Sequence, residues 1–116
     1  MLPKAKRLLK DQDFKRLARQ GRPFYNRALT VKVRLNKLKE SRFGFVISTK
    51  VDKRATVRNQ LRRRWREIVR LNLGHMNPGY DIMMIAKPAA TKLNYQELTE
   101  QTLDLLARAK VYQNNV

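Results

Sequence analysis

Ala55-Thr56-Val57-Arg58-Asn59-Gln60-Leu61-Arg62-Arg63-Arg64-Trp65-Arg66-Glu67-Ile68-Val69-Arg70 is the stretch on which the architecture turns. Leu61, Trp65 and Ile68, with Val69 beside them, recur at the spacing of one helical stripe, which predicts a helix from about Ala55 to Leu73. Arg58, Arg62, Arg66 and Arg70 recur every four residues and so share one side of that helix, with Asn59, Arg63 and Glu67 in the adjacent row. Like charges at this spacing repel along an isolated helix, and Glu67 offsets only part of that. A charged run is ordinarily a solvated face. Here the sign is nearly uniform and the opposite face is apolar, so the row points to phosphates, which guanidinium forks bind in bidentate geometry. Trp65 lies on the apolar stripe and reads as a core anchor rather than a stacking platform.

On the N-terminal side of this helix, Phe43, Phe45 and Ile47 alternate around Gly44 and predict a strand over Arg42–Thr49. Before it, Leu29, Val31, Val33 and Leu35 alternate with Thr30, Lys32 and Arg34, predicting a strand over Ala28–Leu38 with one basic face. The polar residues Lys37–Ser41 read as a hairpin connection between the two. Phe14, Leu17 and Ala18 mark a short first helix, capped by Asp11 or Asp13 and ending near Gly21. On the C-terminal side, Asn77-Pro78-Gly79 is a turn signal, and Tyr80–Ala86 reads as a continuously apolar, more central strand. A last helix begins at Thr91 or Asn94 and packs Leu98, Leu105 and Leu106 inward. The expected fold is one α+β domain over residues 1–116, in the order α-β-β-α-β-α, with a small single-layer sheet packed against helices.

Lys and Arg number 27 against 9 Asp and Glu, a net charge of +18 in 116 residues. All of it lies in residues 1–70, because residues 71–116 carry four cations and four acids. Solubility alone does not require that asymmetry; a single basic face does. Hydrophobic residues make up 42%, enough for a core, so this is no disordered basic tail. The absence of cysteine excludes disulfides and thiolate metal clusters, and one histidine, His75, is too few for a His-based zinc site or a Ser-His-Asp triad. Asp52 and Glu67, the acids nearest the basic helix, stand among cations and read as salt-bridge partners rather than metal ligands; His75 reads as a capping or surface residue. No stretch has the signal-peptide pattern or approaches the ~18 apolar residues of a membrane span, which makes the cytosol the expected compartment. Membrane-surface binding by the amphipathic helix is disfavoured, because Leu61, Trp65 and Ile68 are needed to cover the sheet.

Arg58-Asn59-x-x-Arg62-Arg63-x-x-Arg66-Glu67 resembles the signature of the bacterial ribonuclease P protein component. Its flanks agree: Phe43-Gly44-Phe45-Val46-Ile47-Ser48-Thr49-Lys50-Val51 before it, Pro78-Gly79-Tyr80-Asp81-Ile82 and Lys87-Pro88-Ala89-Ala90 after it. Upstream, Asp13-Phe14, Gly21 and Asn26-Arg27 fit the family's first helix and the approach to its first strand. The resemblance covers nearly the whole chain. It implies a left-handed β-α-β crossover into the basic helix, where general rules favour a right-handed one. It also implies the protein subunit of a cytoplasmic ribonucleoprotein endonuclease that trims the 5′ leader from precursor tRNA.

On that resemblance, the catalytic RNA is contacted by Lys50, Lys53, Arg54, Arg58, Asn59, Arg62, Arg63, Arg66 and Arg70, and the leader by Phe14, Thr30, Lys32 and Arg34. Mg²⁺ is then held mainly by the partner RNA, with no catalytic residue in this chain, no DNA partner, and Asn59 implicated in ordering a metal ion by the resemblance alone. Phe14 also suits an ordinary core position, since it shares a stripe with Leu17. The chain departs from the family pattern in four places. The loop Lys50–Val57 lacks the usual glycine and is one residue longer, and Gln60 replaces an arginine. Ala18 stands where a second aromatic is frequent, and Lys32 where a tyrosine occurs, so the leader surface should rely more on charge than on stacking. The competing class is a basic ribosomal or RNA-chaperone protein with no enzymatic context, which shares the charge, the size and the α+β pattern but not the signature.

Overall fold

A computed structural model describes residues 3, 6–8 and 10–113. The helices are α1 (Asp11–Gln20), α2 (Ala55–Leu71) and α3 (Tyr95–Arg108). The strands are β1 (Arg22–Tyr25), β2 (Leu29–Leu35), β3 (Arg42–Val46) and β4 (Tyr80–Ala86), with short 3₁₀ turns at Leu73–His75 and Pro88–Lys92. The four strands form one sheet in the order β1-β2-β4-β3. β4 pairs antiparallel with β2 and parallel with β3.

That order corrects the hairpin expected at Lys37–Ser41, since β2 and β3 do not pair and β4 lies between them. The reason is in β4 itself: Ile82, Met83 and Met84 are all buried, and a strand apolar on both faces belongs in the middle of a sheet. The connection turns instead at Asn36, whose Oδ1 accepts from the Leu38 N–H and whose Nδ2 donates to the Glu40 carbonyl, with Lys37 at φ 61°. β1 is an additional strand that the sequence pattern does not announce. It is four residues long, contains Pro23, and sits at the sheet edge where proline is tolerated. Asn26 makes the turn into β2, its Oδ1 accepting from the Ala28 and Leu29 N–H groups.

Two faces follow from strand alternation. Leu29, Val31, Val33, Phe43, Ile82 and Met84 face α2 and α3 and form the main core with Leu61, Trp65, Ile68, Leu98, Leu105 and Leu106. Trp65 is completely buried, as an anchor should be; its Nε1 donates to Thr102 Oγ1 at 3.1 Å, and its ring stacks on Phe45 at 6.1 Å. On the other face, Leu8, Leu17 and Met83 form a smaller cluster with Phe14, Val46 and Ile85 beneath α1. α1 is not side-chain capped by either aspartate. Lys10 occupies the N-cap, Asp11 and Asp13 fill the first turn, and Asp13 lies 3.6 Å from Arg42. α3 begins at Asn94 in a capping box with Glu97.

Candidate nucleic-acid interface

The first basic surface is built by α2 and the loop before it. Leu61, Trp65, Ile68 and Val69 are buried, and the arginine row runs along the flank of that stripe, where Arg62 and Arg66 line a pocket with Phe43, Gly44 and Phe45 of β3. The loop closes without glycine: Val51 donates to the Ser48 carbonyl at 3.0 Å, and Val51 is buried as its anchor. Positive φ occurs at Lys37, Gly79 and Lys110 but at no described residue of this loop. The missing family glycine is therefore no obstacle to the turn.

Asp52 fastens the loop to the helix. Its carboxylate accepts from Arg54 Nε at 3.1 Å, Arg54 Nη2 at 3.0 Å and the Arg54 backbone N–H at 2.8 Å. These bonds, the side-chain ones above all, hold the Asp52 carboxyl down at about 2 and raise the Arg54 guanidinium. Arg58 Nη1 donates to the Asp52 and Lys53 carbonyls at 2.9 and 2.8 Å. Further along, Glu67 accepts from Arg70, which lowers the Glu67 carboxyl below its ordinary value. Both acids are thus ion-pair partners, as their sequence setting suggests.

The predicted row is therefore divided in its roles. Arg58 clamps the loop, Arg70 is paired with Glu67, and Arg62 Nη1 donates to Asn59 Oδ1 at 3.0 Å. Arg66 has no salt bridge or side-chain hydrogen bond among the described residues. Lys50, Lys53, Asn59 and Arg63 stand exposed beside them. The first turn of α2 holds no acid, and its N-cap Arg54 makes no side-chain cap bond, so the positive helix end adds to the loop's charge.

The second surface is the sheet face under α1. The register sets Arg34, Asp81 and Arg42 in one row across it, Lys32, Met83 and Gly44 in the next, and Thr30, Ile85 and Val46 in the third. Arg42 binds Asp81 in a fork at 2.8 and 2.7 Å, which stitches the first row together. Lys32 Nζ donates to the Ala18 carbonyl at 2.7 Å and so secures the end of α1. Phe14 lies on Gly44 and is half-buried.

Phe14, Thr30, Lys32 and Arg34 therefore share a face without converging on one pocket. Phe14 lines a pocket with Arg62 and Arg66, whereas Arg34 lines a separate groove with Gln20 and Arg22. The fold adds residues that the sequence pattern does not single out. Tyr25 pairs with Thr30 and is 68% exposed, and Lys87 Nζ lies 5.1 Å from its ring centroid. Only recognition of the short strand β1 would have placed Tyr25 there. His75 is exposed and edge-on to Tyr112 at 6.1 Å, away from both surfaces.

Among the described residues, the groups near α2 do not suit a resident Mg²⁺. Near α2 the carboxylates of Asp52 and Glu67 are occupied by guanidinium groups, and Asn59 Oδ1 by Arg62. No group of three or more His, Asp or Glu residues suited to a metal ion occurs among the described residues. No described helix is long and apolar enough to cross a membrane.

The family model described as Ribonuclease P matches residues 2–110. The ribonuclease P protein component of Pseudanabaena sp. (strain PCC 6903) is 34% identical, over 99% of this chain and 100% of its own. That of Clostridioides difficile (strain 630) is also 34% identical, over 93% and 95%. Among solved structures, the RNase P protein of Staphylococcus aureus superposes with a TM-score of 0.87 at 30% identity, covering 95% of this chain and 100% of that one. The RNase P protein of Thermotoga maritima gives 0.81 at 33% identity, covering 88% and 96%. Sequence, charge and the fold of the described residues thus agree, and the chain belongs to the ribonuclease P protein family.

Proposed function

We propose that this chain is the protein subunit of ribonuclease P and works in the cytoplasm. It binds the catalytic RNA through Lys50, Lys53, Arg54, Arg58, Asn59, Arg62, Arg63, Arg66 and Arg70, and the 5′ leader of precursor tRNA through the face carrying Phe14, Thr30, Lys32 and Arg34. The observation that carries this reading is α2. Its apolar side is spent on the core, while its outward cations far exceed the one acid, Glu67, that accompanies them.

Two polyanions, catalytic RNA and substrate, repel each other, and a protein with basic surfaces on both sides of one sheet lowers that repulsion. The chain's part is to bind and orient. Hydrolysis belongs to Mg²⁺ held mainly by the partner RNA, a division supported by the occupied state of Asp52, Glu67 and Asn59. Guanidinium groups on phosphates act at the ground state of assembly and need no proton transfer from this chain.

Reconstitution tests the proposal. The purified protein added to a bacterial ribonuclease P RNA should raise precursor-tRNA cleavage at low Mg²⁺, where the RNA alone is weak. No gain at any protein concentration would favour a basic ribosomal or RNA-chaperone role instead.

A further inference from the structure

Residues 6–8 run beside the outer edge of β3. Arg7 bridges Phe43 in parallel, and the Leu8 N–H donates to the Phe43 carbonyl at 2.9 Å. Next to this bridge lies a pocket of about 190 Å³ whose lining includes Arg7, Leu8, Phe14, Phe45, Arg62 and Arg66. It brings three arginines from two distant parts of the chain to the wall of one concavity, and no acidic residue lines it.

The neighbouring cations are treated differently. Lys6 is paired with Glu40, and Arg42 with Asp81 and Asp13. Arg7, Arg62 and Arg66 have no ion pair among the described residues. Arg7 Nε is moreover the one buried side-chain nitrogen or oxygen that lacks a hydrogen-bond partner among them. A buried charged donor without an acceptor is destabilising, and like charges around one cavity add to the cost. A seated oxyanion removes both penalties. The Phe14 ring and Leu8 supply an apolar wall against which an unstacked base can lie.

We propose that Arg7, Arg62 and Arg66 form a phosphate pocket for one phosphodiester of single-stranded RNA, at the β3 edge where the helix surface meets the face carrying Phe14. This rests on the ribonuclease P reading and refines it. Arg62 and Arg66 then serve a single strand crossing the β3 edge, and Arg7 joins them as a binding residue. A concavity of this size takes one phosphate and not the broad backbone of a duplex.

The test is titration of the full chain with a short fluorescent oligouridylate over a range of salt. Arg7→Gln should weaken binding about tenfold, as expected for loss of a charge-assisted bond. It should also reduce the magnitude of the log–log salt slope by about 0.7, the single-strand increment for one neutralised phosphate. Arg66→Gln, on the helix side of the pocket, should do the same and guards against a folding defect in either variant, which circular dichroism would expose. Lys92→Gln, on the exposed 3₁₀ turn before α3, removes one charge and should change neither quantity. Unchanged oligouridylate binding in Arg7→Gln and Arg66→Gln overturns the pocket, as does an equal loss in Lys92→Gln.

Two further arms identify the source of the strand. A loss confined to leader-bearing over leaderless precursor tRNA places the leader in the pocket; a loss confined to the catalytic RNA places one of its single strands there. Failure of the unaltered protein to stimulate ribonuclease P RNA would count against the functional reading, while the oligouridylate result would still judge the pocket.

Discussion

A Cβ at Gly44 would stand 2.6 Å from Cε1 and Cζ of Phe14 and 3.2 Å from the Leu8 Cβ, so both residues rest directly on bare backbone. The half-buried Phe14 ring packs with Leu8, Leu17 and Met83 and also lines the pocket that holds Arg62 and Arg66. Gly44→Ala should therefore lift the ring and the N-terminal segment together. Overpacking of this kind costs about 1–3 kcal/mol. Thermal denaturation should show a lower midpoint, and binding of leader-bearing precursor tRNA should weaken more than binding of leaderless tRNA. Equal weakening of the two substrates would place Phe14 outside the leader surface. Asp52 offers a second check. Its folded value of about 2 lies below the ordinary 3.8, so its bonds to Arg54 and the loop are stabilising above about pH 4 and are lost as the pH falls through 2. Carboxyl carbon shifts followed by NMR should give Asp52 a midpoint near 2, and Arg54→Ala should return it toward 3.8. A midpoint already near 3.8 in the unaltered protein would mean that the Arg54 fork does not persist in solution.

α2 joins stability to binding, because the helix that presents the arginines is held by Trp65. The indole N–H finds its acceptor in Thr102 on α3, and both residues are fully buried. Thr102→Val keeps the volume but orphans that donor, at a cost of about 1–3 kcal/mol. The melting midpoint should fall by roughly 4–8 °C per kcal/mol for a domain near this size. RNA affinity measured well below the transition should stay unchanged, since neither Trp65 nor Thr102 lines the pocket formed by Arg62 and Arg66; a matching loss of affinity would show that the packing of α2 on α3 sets the arginine geometry. The helix, its buried stripe and the central place of β4 were legible because each writes a long periodic or continuous apolar pattern. β1 was not, for four residues around Pro23 carry no period. Nor was the pairing order, because the polar segment Lys37–Ser41 suits a hairpin as well as the wider connection that Asn36 builds. The arginine row could be read from spacing alone. That Arg58 is committed to loop carbonyls, and that Arg7 meets Arg62 and Arg66, depends on the meeting of segments distant in sequence.

Charge is divided in the whole molecule as it is along the chain. α1, β1, β2, β3, the loop and α2 all come from the first 71 residues, which carry the entire +18, while β4 and α3 come from the neutral remainder. β4 is sandwiched within the sheet, while the outward Glu100 and Asp104 of α3 line a groove with Leu103 and Tyr112. RNA is therefore expected to approach from the side of α1, the loop and α2, and to leave α3 uncovered. A protein this basic also repels itself, so any ligand that neutralises the folded surface should stabilise it by mass action. The one-sided approach can be read from catalytic-RNA binding measured across salt concentrations. Lys53→Gln combined with Arg63→Gln should reduce the magnitude of the log–log slope by about one for each phosphate that the pair no longer neutralises. Glu100→Gln combined with Asp104→Asn shifts net charge by the same amount in the opposite direction, yet should leave the slope unchanged, because no phosphate is met there. If the α3 pair steepens the slope as much as the loop and helix pair flattens it, binding follows total charge and the one-sided approach is wrong.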